Sequence, residues 1–205
     1  DLTVMATSTD GTDTATTATT LAVTVAAVAD APTLEVQAAS GDEDTAIALD
    51  IASALTDTDG SEILSVTIDG IPEGATLSAG TINEDGSITL TPAQLEGLTI
   101  TPPADSDADF DLTVTATSTD GTDTATTTAT LPVTVAAVAD APTLDVSSAS
   151  GDEDTAIALD IASALTDTDG SEVLSVTIDG IPEGAILSAG TINEDGSITL
   201  TPAQL

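Results

Sequence analysis

The feature that most constrains this chain is a long internal repeat. Residues 1–30 return almost unchanged as residues 111–140, and residues 31–95 return as residues 141–205, so the period is 110 residues. Solenoid proteins have repeats of about 20–50 residues, whereas a unit of this length is the size of one globular domain. The repeat therefore predicts a tandem array of similar domains, an arrangement that typically provides reach, spacing or many copies of one surface.

The repeat also divides the chain into parts. We predict that residues 1–30 are the C-terminal part of one repeat, residues 31–140 a complete repeat, and residues 141–205 the N-terminal part of the next. Both termini fall inside a repeat, which predicts that the chain is a section of a longer array. The aligned positions that differ are Met5/Thr115, Ala18/Thr128, Thr19/Ala129, Ala22/Pro132, Glu35/Asp145, Gln37/Ser147, Ala38/Ser148, Ile63/Val173 and Thr76/Ile186.

The charge of the chain excludes several kinds of partner. It has 36 acidic residues and no lysine, arginine or histidine. Nucleic acid is excluded because nothing neutralises its phosphates, and an anionic membrane surface repels the chain for the same reason. No apolar run approaches the ~18 residues of a membrane-spanning helix. Cysteine is absent, so the chain has no disulfide framework and no thiolate ligand for a metal.

Apolar residues occur in short alternating runs, which is the pattern of half-buried β-strands. About seven such strands in each repeat, with turn signals between them, predict tandem antiparallel β-sandwiches with Ig-like Greek-key connections. Single helical turns are predicted at residues 52–55 and 93–95. The apolar residues of the runs are Ile47, Leu49 and Ile51; Leu64, Val66 and Ile68; Ile88 and Leu90; Leu98 and Ile100; Phe110, Leu112, Val114 and Ala116; and Leu131, Val133 and Val135.

The acidic residues lie mainly in the predicted loops. A halophilic protein would spread its acids over exposed strand faces, but here those positions are mostly threonine, as at Thr113, Thr115 and Thr117. Acids gathered in loops are typical of cation sites instead. The acid-rich loops are residues 42–44, 57–62, 105–109 and 120–123.

The ligand chemistry of these loops favours calcium. Calcium binds about 6–8 oxygen ligands, whereas magnesium prefers few protein ligands and retains its waters. Zinc and copper usually require histidine or cysteine, and the chain has neither. The loop Asp57–Glu62 begins like an EF-hand but lacks the ligand spacing, the length and the flanking helices of that motif, so an EF-hand is excluded.

The order of the motifs resembles a known family. Asp-Glu-Asp-Thr from Asp42, Asp-Thr-Asp-Gly-Ser-Glu from Asp57, Ser-Asp-Ala-Asp-Phe-Asp-Leu-Thr-Val from Ser106 and Val-Ala-Asp-Ala-Pro from Val138 follow one another in each period. This set resembles a cadherin-like repeat and is most similar to the extender repeats of giant secreted bacterial adhesins of the RTX type. The resemblance implies a cadherin-like sandwich, an extracellular location at the cell surface, and calcium ions that stiffen the junctions between adjacent repeats.

The resemblance also implies which residues bind calcium. At one junction, Glu43, Asp107, Asp109 and Asp140 would meet Asp167 and Asp169; at the other, Asp30 would meet Asp57, Asp59 and Asp120. The chain departs from animal cadherins at residues 136–139, which are Ala and Val where those linkers are rich in acids and amides. Solvated loop acids are the alternative for each residue, and Asp42, Asp44 and Asp123 are left open between the two.

An enzyme is not expected. Carboxylate pairs can cleave glycosides, but such sites normally add aromatic platforms and cationic or amide donors, and the chain has no Trp, Tyr, His, Arg or Lys. The main hypothesis is a calcium-stiffened spacer in a secreted adhesin, whose partners are adjacent repeats of the same chain. The alternative is a self-assembling extracellular filament, in which identical chains pack laterally or exchange strands.

Overall fold

A computed structural model describes residues 1–205, which are all-β apart from two short 3-10 turns, Pro92–Gln94 and Pro202–Gln204. None of its helical segments has the length and apolar character needed to cross a membrane. The strands are Leu2–Asp10 (β1), Asp13–Leu21 (β2), Thr33–Val36 (β3), Ala39–Asp42 (β4), Ile47–Ala48 (β5), Ile51–Ala54 (β6), Ile63–Asp69 (β7), Thr76–Leu77 (β8), Thr81–Ile82 (β9), Ile88–Leu90 (β10), Thr99–Thr101 (β11), Phe110–Asp120 (β12), Asp123–Ala136 (β13), Thr143–Val146 (β14), Ile161–Ala164 (β15), Val176–Ile178 (β16), Thr191–Ile192 (β17) and Ile198–Leu200 (β18).

The central part of the chain, residues 31–140, contains the largest sheet. Its six strands lie in the order β4-β13-β12-β7-β10-β9. Every pair in this sheet is antiparallel except β4 with β13, which is parallel. A smaller sheet, β5-β11-β8, and the pair β3-β6 complete the same part. Multiple sheets around one core are compatible with a β-sandwich.

One apolar core holds these sheets together. It consists of 17 buried residues between Ala39 and Val135, contributed by both the large and the small sheet. The predicted alternation is confirmed, since Val66 and Ile68 of β7 are buried while Thr67 between them is only half-buried. Burial removes apolar area from water, and this is the main force that keeps the strands together.

The structure differs from the expected seven strands in the way the strands are broken. The run from Ile47 to Ile51 is one predicted strand, but it divides into β5, which pairs with β11, and β6, which pairs with β3. The predicted helical turn at residues 52–55 is therefore wrong. Residues 52–54 belong to β6, where Ser53 Oγ donates a hydrogen bond to the Thr33 carbonyl at 2.8 Å. Local sequence favoured a turn, but pairing with β3 decided the outcome. The turn predicted at residues 93–95 is present as Pro92–Gln94.

A long hairpin, β12–β13, forms one side of the central part. Its strands pair from Phe110↔Val133 to Asp120↔Asp123. The two-residue turn between them places Gly121 at a φ of 60 degrees, a left-handed conformation that favours glycine. β1–β2 has the same register one period earlier.

Two of the sequence differences between repeats lie opposite each other in this hairpin. Met5 pairs with Ala18 in β1–β2, and the equivalent pair in β12–β13 is Thr115 with Thr128. The two threonine hydroxyls are 3.2 Å apart and share a hydrogen bond. Both residues of this cross-strand pair thus differ together between the two hairpins: the pair is apolar in β1–β2 and is joined by hydroxyl groups in β12–β13. Paired differences of this kind are expected where cross-strand neighbours stabilise a sheet.

The flanking parts reproduce pieces of the central one. β14–β15 repeats β3–β6, and β16-β18-β17 repeats β7-β10-β9. β1–β2 has no covering sheet within residues 1–205, so it is exposed along its length. Residues 137–142 connect β13 to β14, and the acidic loops of the two successive repeats meet beside this linker.

Candidate metal centre at the linker

The pairing of β4 with β13 brings the first acid to the linker. Because the two strands are parallel, both end at the same edge of the sheet, where Asp42 lies opposite Ala136. The next residue, Glu43, donates its backbone N–H to the Ala136 carbonyl at 3.0 Å. The side chain of Glu43 is thereby placed at the start of the linker, facing the repeat that follows.

Glu43 forms an acidic group with Asp167 and Asp169 of the loop after β15. One carboxylate oxygen of each residue lies within 4.8 Å of the others. Glu43 is 2% exposed and Asp167 is 1% exposed, whereas Asp169 is exposed. Glu43 Oε2 and Asp167 Oδ2 are buried without a hydrogen-bond partner. We call these three residues the first acidic group. It is built from two successive repeats and contains no positive charge.

Backbone N–H groups orient the carboxylates of this group. Val138 N–H donates to Glu43 Oε1 at 2.6 Å, Asp169 N–H donates to Asp167 Oδ1 at 2.8 Å, and Ser171 N–H donates to Asp169 Oδ1 at 2.7 Å. Glu43 and Asp167 thus each use one oxygen to fix their orientation. The other oxygen of each is left without a partner, and is available to a cation.

A second acidic group lies beside the first and consists of Asp44, Asp105 and Asp140. Their carboxylate oxygens also lie within 4.8 Å of one another. Asp105 N–H donates to Asp44 Oδ1 at 3.0 Å, which ties two loops of the central part together. Asp44 and Asp105 both have left-handed backbones, with φ of 56 and 55 degrees, a conformation that aspartate adopts more readily than most residues.

Neighbouring charges and burial perturb the acids of both groups. The hydrogen bond from Val138 lowers the pKa of Glu43, but burial and the charges of Asp167, Asp169 and Asp44 together outweigh it and raise that pKa. Burial and the charge of Asp44, with smaller effects of Asp167, Asp140 and Asp169, raise the pKa of Asp105. Hydrogen bonds from Ser171 lower the pKa of Asp169, and Asp107 adds to this effect. Negative charges repel one another at this linker.

The acids predicted to meet at this linker do not all lie in one group. Glu43, Asp167 and Asp169 meet in the first acidic group, while Asp140 lies in the second. Asp107 is half-buried and lies beside Asp169. Asp109 is exposed, and its Oδ1 accepts the Val135 N–H at 2.8 Å, so in this structure it holds β13 against the preceding loop.

The other linker has the same acidic loop but not the same cluster. Asp30, Asp57, Asp59 and Asp120 form no group of three carboxylates like those described above. Asp57 is only half-buried, whereas the equivalent Asp167 is buried. Acids equivalent to Glu43 and Asp105 of a preceding repeat have no counterpart within residues 1–30. Ligation by these four residues therefore stays a prediction.

Sequence reasoning missed three residues that the structure places at the linkers. Asp105 lies in one of the acid-rich loops but was not assigned as a ligand. Its contact with Asp44 depends on a left-handed backbone conformation, which the sequence does not predict. Glu62 was included only as the last residue of the acid-rich loop 57–62, and Glu172, its equivalent one period later, was not assigned. Glu62 continues the inward alternation of Leu64, Val66 and Ile68, and that pattern could have identified it as a buried acid.

The donor set defines the chemistry that the site can perform. Its side-chain ligands are all carboxylate oxygens, which suit hard cations such as calcium. Burying an unpaired carboxylate is costly unless a cation or proton compensates for it. The acidic groups can therefore hold a metal ion, and they would gain most from one at neutral pH.

The raised pKa values predict how the metal-free linker responds to pH. A carboxyl group with a raised folded-state pKa favours the folded state below its ordinary pKa, and this contribution is lost as the pH rises through the raised value. Without metal, we expect contact across the linker to weaken as the pH rises above about 4, the ordinary value of a carboxyl pKa, because both pKa values are raised. Groups with lowered pKa values, such as Asp59 and Asp169, stabilise the folded state above their ordinary pKa. This contribution to the free energy of unfolding is lost as the pH falls below about 4.

Thermal melting of the chelated protein across this pH range measures the effect. The double variant Glu43→Gln/Asp105→Asn should flatten the dependence above pH 4, because it removes both groups with raised pKa values. An equally steep dependence in this variant would contradict the assignment. Calcium should reverse the slope, since it binds the ionised carboxylates.

Comparisons of the chain with protein-family models, curated proteins and solved structures found no match. The chain is an all-β protein in which acidic side chains of two successive repeats converge at one linker.

Proposed function

We propose that this chain is a spacer segment of a secreted bacterial surface adhesin, in which Ig-like and cadherin-like β-sandwiches follow in tandem and calcium rigidifies each junction. One observation carries the proposal. Glu43 and Asp167, contributed by successive repeats, are both buried, and each directs an oxygen without a hydrogen-bond partner into a group with Asp169. A cation at this point would join two repeats directly.

The strand order supports the Ig-like part of the proposal. β3 pairs with β6, and β5, which precedes β6 in the same run of chain, pairs with β11 and through it with β8. The other layer is the six-stranded sheet, in which β7, β12 and β13 lie side by side. Ig-type sandwiches likewise pack two layers of antiparallel strands, of four and three strands in the simplest form, with Greek-key connections.

The composition supports the cation as the stabilising agent. The sequence has a formal net charge of −36 and no basic side chain, so no ion pair between side chains can compensate for the buried acids. Extracellular calcium modules typically bind with dissociation constants of about 10⁻⁴–10⁻³ M. A secreted spacer would be loaded at such concentrations, and the bound ions would offset the repulsion between carboxylates.

Small-angle scattering with calcium and after EDTA tests the proposal. We expect a longer mean dimension with calcium, because the ion fixes the angle between repeats. Chelation should also lower the melting temperature. Magnesium at the same concentration is the control, and it should act more weakly because it retains its waters. Identical scattering profiles with and without calcium would contradict the proposal.

The same experiment bears on the alternative of a filament. The inward residues Leu2 and Val4 of β1 are 57% and 48% exposed, whereas the equivalent Leu112 and Val114 are 0% exposed. Within residues 1–205 no other strand covers this hairpin, so addition of a second copy there is the form of assembly that the experiment would detect. Forward scattering divided by protein concentration reports the mean molar mass. An increase of this ratio with concentration would favour the filament, and a constant ratio would favour the spacer.

A further inference from the structure

Two glutamates hold the linker by its backbone, one from each repeat. Val138 N–H donates to Glu43 Oε1 at 2.6 Å, and Asp140 N–H donates to Glu172 Oε1 at 2.7 Å. Both acceptors are carboxylates, which form stronger hydrogen bonds than neutral acceptors. The peptide groups between residues 138 and 140 are thereby fixed to the repeat before them and to the repeat after them.

The contact with the following repeat occurs at both linkers. Asp30 N–H donates to Glu62 Oε1 at 2.7 Å, which matches the contact of Asp140 with Glu172 one period later. The first linker has this contact although no group of three carboxylates forms there. In both cases the second oxygen, Glu62 Oε2 or Glu172 Oε2, is buried without a partner. The contact is therefore a repeated feature of the fold that does not require the acidic groups.

We propose that Glu172 is a positioning residue for the linker. By accepting the backbone N–H of Asp140, it holds the Asp140 carboxylate beside Asp44 and Asp105. At the first linker, Glu62 holds the backbone of Asp30 by the equivalent hydrogen bond. The consequence is that part of the interdomain geometry is set before any cation binds. The inference rests on the proposed function only for the ligand role of Asp140, since the hydrogen bond itself needs no cation.

Paired spin labels provide the test, because the chain has no cysteine of its own. Thr130→Cys and Glu194→Cys introduce labels at exposed positions on either side of the linker. Distances between the labels are measured by pulsed electron resonance in EDTA. Glu172→Ala should increase the population outside the main distance peak by about tenfold, which is the size of effect expected from losing a hydrogen bond to a charged acceptor.

Two further variants separate the hydrogen bond from the charge. Glu172→Gln keeps an oxygen that can accept the Asp140 N–H, so it should retain the main peak. Glu172→Asp keeps the charge but has a shorter side chain, so it should broaden the distribution as Glu172→Ala does. Glu183→Ala removes an exposed acid from the same repeat and is the control for the loss of one negative charge.

A narrow distribution for Glu172→Ala in EDTA, or equal broadening by Glu172→Gln and Glu172→Ala, would overturn the positioning role. Repeating the measurement with calcium tests the proposed function separately. If calcium leaves every distribution unchanged while Glu172→Ala is still broader than Glu172→Gln, the calcium function fails and the positioning role stands.

Discussion

Replacing Leu112 by alanine is expected to destabilise the central part of the chain by about 3 kcal/mol, within the range of roughly 2–5 kcal/mol measured for buried leucines. Leu112 is 0% exposed and packs in the core of 17 residues. The core residues are Ile, Leu, Val and Ala, with no aromatic side chain among them. Truncation of one leucine leaves a cavity that the packed neighbours fill only in part, and the loss is a large part of a domain's total stability of about 5–15 kcal/mol.

The chain supplies a matched control for this substitution. Leu2 lies in the same local sequence, Asp-Leu-Thr-Val, and at the same hairpin position, but it is 57% exposed. Leu2→Ala should change the stability of the central part by no more than about 0.5 kcal/mol. Urea denaturation followed by circular dichroism measures both variants. Equal losses would contradict the assignment of the core.

Replacing Asp167 by asparagine is expected to weaken calcium binding on the order of 100-fold. Calcium affinity in protein sites depends strongly on the number of charged ligands, and Asp167 is the most deeply buried acid of the first acidic group. Titration calorimetry measures the affinity. In EDTA the same variant should melt at the same or a higher temperature, because it removes one of the repelling charges. A loss of stability in EDTA would indicate a structural role instead.

Asp57 is the matched control for Asp167. Residues 57–62 and 167–172 have the same sequence, Asp-Thr-Asp-Gly-Ser-Glu, but Asp57 is only half-buried and belongs to no group of three carboxylates. Asp57→Asn should leave the tightest calcium affinity within about threefold of the original, which corresponds to less than about 0.7 kcal/mol. An equal weakening by both variants would place the tight site elsewhere.

Much of the fold follows from local patterns that the sequence displays. Alternation predicted the buried positions Val66, Ile68, Leu112 and Val114, because side chains on a strand point to opposite faces in turn. Asp85-Gly86 is a turn signal that the sequence displays directly, and it lies between β9 and β10, where Gly86 has a φ of 89 degrees. These features depend on a few consecutive residues and need no information about distant parts of the chain.

Breaks in strands depended on partners far away in the sequence. Ala52 and Ser53 belong to β6 because Thr33–Val36 pairs with them. Parallel pairing of β4 with β13 joins residues almost one period apart. Alternation alone does not choose between a continuous strand and two short ones, since the choice depends on which neighbouring strand offers free backbone groups.

For the candidate site, the sequence identified the acid-rich loops but not which of their acids come together in each acidic group. Asp140 was expected beside Asp167 and Asp169, and the structure places it with Asp44 and Asp105. Glu172 was not expected at the linker at all. Its role depends on the direction of one backbone N–H, that of Asp140, which is set by the path of the linker between two folded parts.

By itself, the sequence determined a repeated all-β chain with strongly acidic loops and no basic side chain. Only the tertiary structure decided which copies of the same residues become buried. Leu2 and Leu112 have the same neighbours in sequence, as do Asp57 and Asp167, yet within each pair one is buried and the other is not. The physical reason is that the residues which cover Leu112 and Asp167 lie far away in the sequence, as Glu43 does from Asp167. Residues 1–205 contain no equivalent segments around Leu2 and Asp57.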